Sequence, residues 1–196
     1  MGYYNPEIHH RRSIRLKDYD YSQMGAYFVT ICTFRGKEIF GEVEDSAMIL
    51  NRQGAIASAM WQTLPRRFSG LELDHFVVMP NHIHGILVRT ERLKPATKEP
   101  TAQNQPPDQL NKLQMYRKSP YRSQMLCEIV RTFKGVTSYY VRRSDGNMTG
   151  FGWHRNFFEH IIRNGKELDA LRAYILNNPT RWQKDKLHPQ SGWKLR

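Results

Sequence analysis

Acidic residues are scarce in this chain: 18 Asp plus Glu stand against 30 Lys plus Arg, a formal net charge of +12. No folding requirement produces that imbalance. It suits a polyanionic partner, and nucleic acid is the commonest one. Cysteine is rarer still. Cys32 and Cys127 form no Cys-x-x-Cys spacing, which argues against a structural zinc site and against a disulfide framework, and fits a reducing compartment. No apolar run approaches the ~18 residues a membrane helix needs. Residues 1–17 are polar and basic without the apolar centre of a signal peptide. The expectation is a cytoplasmic, nucleoid-associated protein with no membrane contact. At 196 residues the length suits one domain.

Apolar periodicity supplies the elements. Residues 26–33 are β-branched and aromatic and read as a strand. Residues 51–68 place Ile56, Met60, Trp61 and Leu64 at helical spacing, with Pro65 near the end. Residues 71–79 and 82–88 read as strands, and the short Pro80-Asn81 connection makes them an antiparallel hairpin. Prolines at 95, 100, 106, 107 and 120 punctuate residues 89–122, which read as a flexible insertion. Helical spacing returns over 123–143, a strand follows over 153–162, and a short helix over 166–177. The order β-α-β-β-α-β predicts an α+β, ferredoxin-like split βαβ fold. Its antiparallel sheet has helices on one face, and one further helix is added at the C-terminus. A basic arm (1–22) and a basic tail (183–196) flank the domain.

The most informative letters are Asn81-His82-Ile83-His84-Gly85. Side chains alternate along a strand, so His82 and His84 share a face and Ile83 takes the other. Two imidazoles side by side on a rigid strand suit one divalent ion. Histidine-triad hydrolases need a third histidine where this chain has Ile86, and the paired His-x-Thr/Ser repeats of two-histidine phosphodiesterases do not occur. A nucleophile and a further ligand are then expected on a packed neighbour. Tyr174 and Asn178 stand four residues apart on the last helix, roughly 40° from each other around its axis. A tyrosine attacking phosphorus forms a covalent phosphotyrosine, and a cation offsets its weakness as a nucleophile. Tyr139-Tyr140, and Tyr3-Tyr4 less so, compete for that role.

Met79-Pro80-Asn81-His82-Ile83-His84-Gly85, then Phe133-Lys134-Gly135-Val136-Thr137, Trp153, Phe158-Glu159-His160-Ile161-Ile162-Arg163 and Tyr174-Ile175-Leu176-Asn177-Asn178-Pro179 occur in that order. In this order they resemble the single-tyrosine HUH transposases, most of all the REP-associated tyrosine transposases. The likeness spans roughly residues 11–182. It implies a metal-dependent single-stranded DNA endonuclease and strand transferase acting on hairpin-forming repeats through a 5′-phosphotyrosine. Tyr174 would be catalytic, with Mg²⁺ or Mn²⁺ held by His82, His84 and Asn178. Glu159 and His160 would lie near the site as supporting residues or DNA contacts. Arg11, Arg12, Arg15, Arg131, Lys134, Arg142, Arg143 and Arg181 are the candidate contacts to single-stranded or hairpin DNA. The resemblance leaves both monomer and homodimer open. Two alternatives keep the fold without the chemistry: a single-strand binding module that works by stacking, and a domesticated transposase that only binds.

Overall fold

The computed structural model describes residues 23–91, 125–144 and 150–192. The expected arm over 1–22, with Arg11, Arg12 and Arg15, lies outside the described residues. So does the expected insertion beyond residue 91.

Among the described residues, these strands and α-helices follow in chain order: β1 Gly25–Cys32, β2 Gly41–Glu44, β3 Ala47–Leu50, α1 Arg52–Gln62, β4 Leu71–Met79, β5 His82–Arg89, α2 Met125–Ser144, β6 Phe158–Ile162 and α3 Gly165–Leu176. The main sheet runs β4-β5-β1-β6, and every neighbouring pair in it is antiparallel. This is the ferredoxin-like order expected from the sequence, with β5 and β1 at the centre. Among the described residues, no helix is long and apolar enough to cross a membrane.

Alternation divides β1 and β5 between two faces. Tyr27, Val29, Ile31, Ile83 and Leu87 are fully buried in one core with Trp61 of α1 and with Ile129, Val130 and Phe133 of α2. Gly85 lies on this same face, and a Cβ there would come within 2.3 Å of the Trp61 ring. The glycine that closes the histidine pentad therefore serves helix packing on the far side of the strand. The opposite face carries Phe28, Thr30, His82 and His84.

Local chemistry sets the helix starts. Asn51 caps α1 by accepting from the Gly54 N–H (2.9 Å), and Asn164 caps α3 through the Glu167 N–H (2.9 Å). A feature absent from the sequence reading is the β2–β3 hairpin. Its turn is Asp45-Ser46, both at positive φ; hairpins of this type are ordinarily signalled by Asn-Gly or Asp-Gly. The last strand is also shorter than expected, because Trp153 makes only an isolated bridge to Thr33 and its indole N–H donates to the Lys134 carbonyl of α2 at 3.0 Å.

Candidate functional site

The site is built on β5, which orders both imidazoles before anything else approaches. The Nδ2 of Asn81 donates to the Gly36 carbonyl (3.2 Å) and to the Leu187 carbonyl (2.8 Å). That spends both amide protons and leaves Oδ1 facing the Nδ1 of His82 at 2.7 Å. The Nδ1 must then carry the proton, so the Nε2 of His82 is a bare lone pair. The Nδ1 of His84 meets the Thr30 hydroxyl at 2.8 Å. This partner accepts or donates, so His84 is free to adopt the same tautomer.

The two Nε2 atoms stand 3.0 Å apart. Burial holds His84 neutral down to about 3. His82 is pushed well below the ordinary value by burial and then by His84. Neutral imidazoles converging on one point are what a divalent metal takes.

Helix α3 crosses this face. Ile175, almost wholly buried, anchors it, a burial that stabilises by about 1.5–3 kcal/mol. Arg172 grips Asp74 of β4 through two donors, Nε to Oδ1 at 3.0 Å and a terminal nitrogen to Oδ2 at 2.6 Å. The guanidinium holds the Asp74 carboxyl far below the usual carboxylate range. Asp74 sits where β4 shifts register against β5, between Leu73 and Phe76, so a bulge aims the carboxylate at the helix. At the other end, Glu167 accepts from the Arg163 N–H (2.7 Å) and pairs with His160 at 2.5 Å.

This frame sets Tyr174 over His84. The phenol oxygen lies 3.3 Å from the Nε2 of His84, and the rings meet edge to face with centroids 5.2 Å apart. Phe28 stacks on His84 at 5.2 Å and meets the Tyr174 ring edge-on at 6.0 Å. Burial of the phenol raises its pKa, the Asp185 charge raises it further, and the Asn178 side chain acts in the opposite direction. The residue remains 37% exposed, while its hydroxyl end is held against His84.

Asn178 lies just past α3, at the start of a 3-10 stretch over Pro179–Lys184. It is 1% exposed. Its amide donates weakly to the Asp185 Oδ2 at 3.4 Å. Its Oδ1 is buried without a hydrogen-bond partner among the described residues, and such an orphaned acceptor fits a cation. Asp185 was absent from the sequence reading, yet ligand atoms of His82, His84 and Asp185 all lie within 4.8 Å of one another. The group is able to hold a metal ion, and its donors fit one. The signal for Asp185 was faint: a lone acid between Lys184 and Lys186, in the stretch read as a basic tail. Part of that stretch instead returns to the site: the Leu187 carbonyl meets Asn81 and His188 is buried, next to the buried Trp182 that precedes the stretch.

Other expected residues part company with the site. Glu159 pairs with Val29, which puts it on the opposite sheet face from the histidines. Alternation along β6 reverses the expected placement. His160 shares the histidine face but is committed to Glu167 and serves to dock α3. Lys134 donates to the carbonyls of His154 (2.8 Å) and Asn156 (3.0 Å), and burial lowers it to about 8; it fastens a loop and is poorly placed to greet a phosphate. Arg131 is exposed beside Glu128 at 3.5 Å. Arg142, Arg143 and Arg181 are exposed, and Arg143 lies over the Tyr139 ring at 5.5 Å. Tyr139 and Tyr140 are exposed on α2, the helix whose core residues pack on the sheet face opposite the histidines.

No protein-family model matches the chain. An uncharacterized protein of Haemophilus influenzae is 40% identical over 186 residues, covering 94% of this chain and 97% of the relative. A solved structure of a REP-associated tyrosine transposase bound to a REP hairpin is 18% identical with a TM-score of 0.51, covering 85% of this chain and 73% of that one. The chain belongs to one family with the Haemophilus protein, and its fold is that of a REP-associated tyrosine transposase.

Proposed function

We propose that the protein is a single-stranded DNA nicking and joining enzyme that works through Tyr174. The observation that carries this reading is the meeting of three parts at one point. The Tyr174 phenol lies 3.3 Å from the Nε2 of His84. That nitrogen lies 3.0 Å from the Nε2 of His82, and the buried Asn178 is close by. A module that bound DNA by stacking alone has no use for two desolvated imidazoles, one with its tautomer fixed by Asn81, under an aromatic hydroxyl. The similarity to a transposase bound to a REP hairpin supports DNA as the partner, and the net charge of +12 suits a phosphate backbone.

In this reading the Tyr174 oxygen attacks phosphorus and gives up its proton. The P–O3′ bond breaks, the 3′ oxygen leaves and takes a proton, and the DNA 5′ end stays on the tyrosine as a phosphodiester. The bond count is unchanged, so a 3′-hydroxyl later reverses the step and rejoins strands. Because its pKa is raised, the phenol is protonated at neutral pH and needs help to ionise. A Mg²⁺ or Mn²⁺ ion held by His82, His84 and Asn178 would supply that help by withdrawing charge from the phosphate and the leaving oxygen. Thr30 and Asn81 orient the imidazoles, and Asp74 with Arg172 keeps the phenol over them. A hairpin with single-stranded flanks is the proposed substrate, and a cytoplasmic, chromosome-associated setting follows from it.

The test is incubation of labelled single-stranded hairpin oligonucleotides with the protein and Mn²⁺ or Mg²⁺, read by denaturing gel and mass spectrometry. The expected product is a protein–DNA adduct on Tyr174, absent in Tyr174→Phe. Tight hairpin binding with no adduct under any metal would sink the reading in favour of a binding-only protein.

A further inference from the structure

We propose that Asp185 is a direct ligand of the divalent cation, which makes the segment after α3 a working part of the metal centre. This rests on the reading of His82 and His84 as a cation site.

Position comes first. An oxygen of Asp185 joins ring nitrogens of His82 and His84 in a group spanning no more than 4.8 Å. A second observation is that the segment is built to keep it there. The Leu187 N–H donates to the Asp185 Oδ1 at 2.6 Å. The Leu187 carbonyl accepts from Asn81 at 2.8 Å, and Asn81 in turn fixes the tautomer of His82. One chain of hydrogen bonds therefore runs from the carboxylate to the imidazole. Trp182 sits between His82 and His188, with ring centroids 6.0 Å and 4.7 Å away, and clamps the segment onto the strand.

Charge supplies the third argument. Two neutral imidazoles and one amide give a donor set with no charge, suited to a borderline ion. A single carboxylate adds the hard, anionic oxygen that Mg²⁺ and Mn²⁺ favour. Among the described residues no Lys or Arg pairs with Asp185, although Lys184 and Lys186 flank it. Its Oδ2 receives only the long 3.4 Å contact from Asn178.

The experiment uses the full chain without DNA and follows Mn²⁺ binding by calorimetry and by loss of the free-ion EPR signal. Asp185→Asn keeps the oxygen that accepts from Leu187, so the turn survives. It is expected to weaken Mn²⁺ binding by at least about tenfold, with the melting temperature of the metal-free protein unchanged. Asp185→Glu, which restores the charge, should recover part of the loss. The Co²⁺-loaded protein gives a second readout: at saturation its visible d–d bands should differ between wild type and Asp185→Asn. Equal or tighter Mn²⁺ binding by Asp185→Asn, or identical Co²⁺ spectra, overturns the assignment of Asp185. A wild-type chain that binds no Mn²⁺, or a His84→Ala variant that binds it as well as wild type, overturns the cation site itself.

Discussion

Tyr27, Val29, Ile31, Ile83 and Leu87 disappear into α1 and α2 on one side of the central strands. The residues between them, Phe28, Thr30, His82 and His84, meet α3 and the chain beyond it on the other. The apolar side is held by interdigitation, down to a glycine without which Trp61 could not approach β5 so closely. The polar side is held by addressed contacts: Arg172 to Asp74, Asn81 to Leu187, Glu167 to His160. A strand with a two-residue period lets one backbone serve as a core wall and as a ligand platform at once. The first face gives the second its rigidity.

That division is open to attack from either side. Tyr174→Phe should abolish the covalent adduct while leaving the denaturation midpoint within about 0.5 kcal/mol of wild type, since the change removes one hydroxyl from a partly exposed ring. A large loss of stability would mean that the two faces are not separable. Trp61→Ala attacks the other face. It should cost about 3–5 kcal/mol by urea denaturation. Any fraction that remains folded should still bind Mn²⁺.

Acid should destabilise the polar face selectively. Unfolded histidines protonate near pH ~6.5, whereas burial keeps His84 neutral down to about 3 and His82 well below its ordinary value. Between those limits the unfolded chain binds more protons. Stability of chelator-treated protein is therefore full above about pH 6.5 and falls as pH drops through that window. Urea midpoints at pH 7, 6 and 5 check the slope, and His84→Gln should flatten it.

The smallest expected effect is the most local. Thr30→Val keeps the side-chain shape and deletes the partner of the His84 Nδ1. Mn²⁺ affinity should fall about tenfold with little change in fold, as measured by calorimetry.

Some of this could be read directly from the letters. Alternation alone put His82 and His84 on one face and Ile83 on the other, and helical spacing put Tyr174 and Asn178 near each other. The strand boundaries of β4 came out as expected because apolar alternation and a Pro-Asn turn are local signals. The β2–β3 hairpin was illegible because Asp45-Ser46 is not a typical turn pair. Glu159 was misplaced because face assignment on β6 depends on its register with β1, and register is a property of the pair. Lys134 looked like a DNA contact because sequence shows a charge but not the carbonyls waiting for it.

What the sequence determined by itself, then, was the chemistry available: a strand bearing two imidazoles, a helix bearing a phenol, and an excess of positive charge. Those depend on periods of two and of about 3.6 residues, which act over a few neighbours. The tertiary structure decided which face α3 covers, where the Asp74 bulge pins it, and that Asp185 returns to the histidines 101 positions away from His84. Such contacts arise from packing between segments far apart in the chain, and no local pattern encodes them.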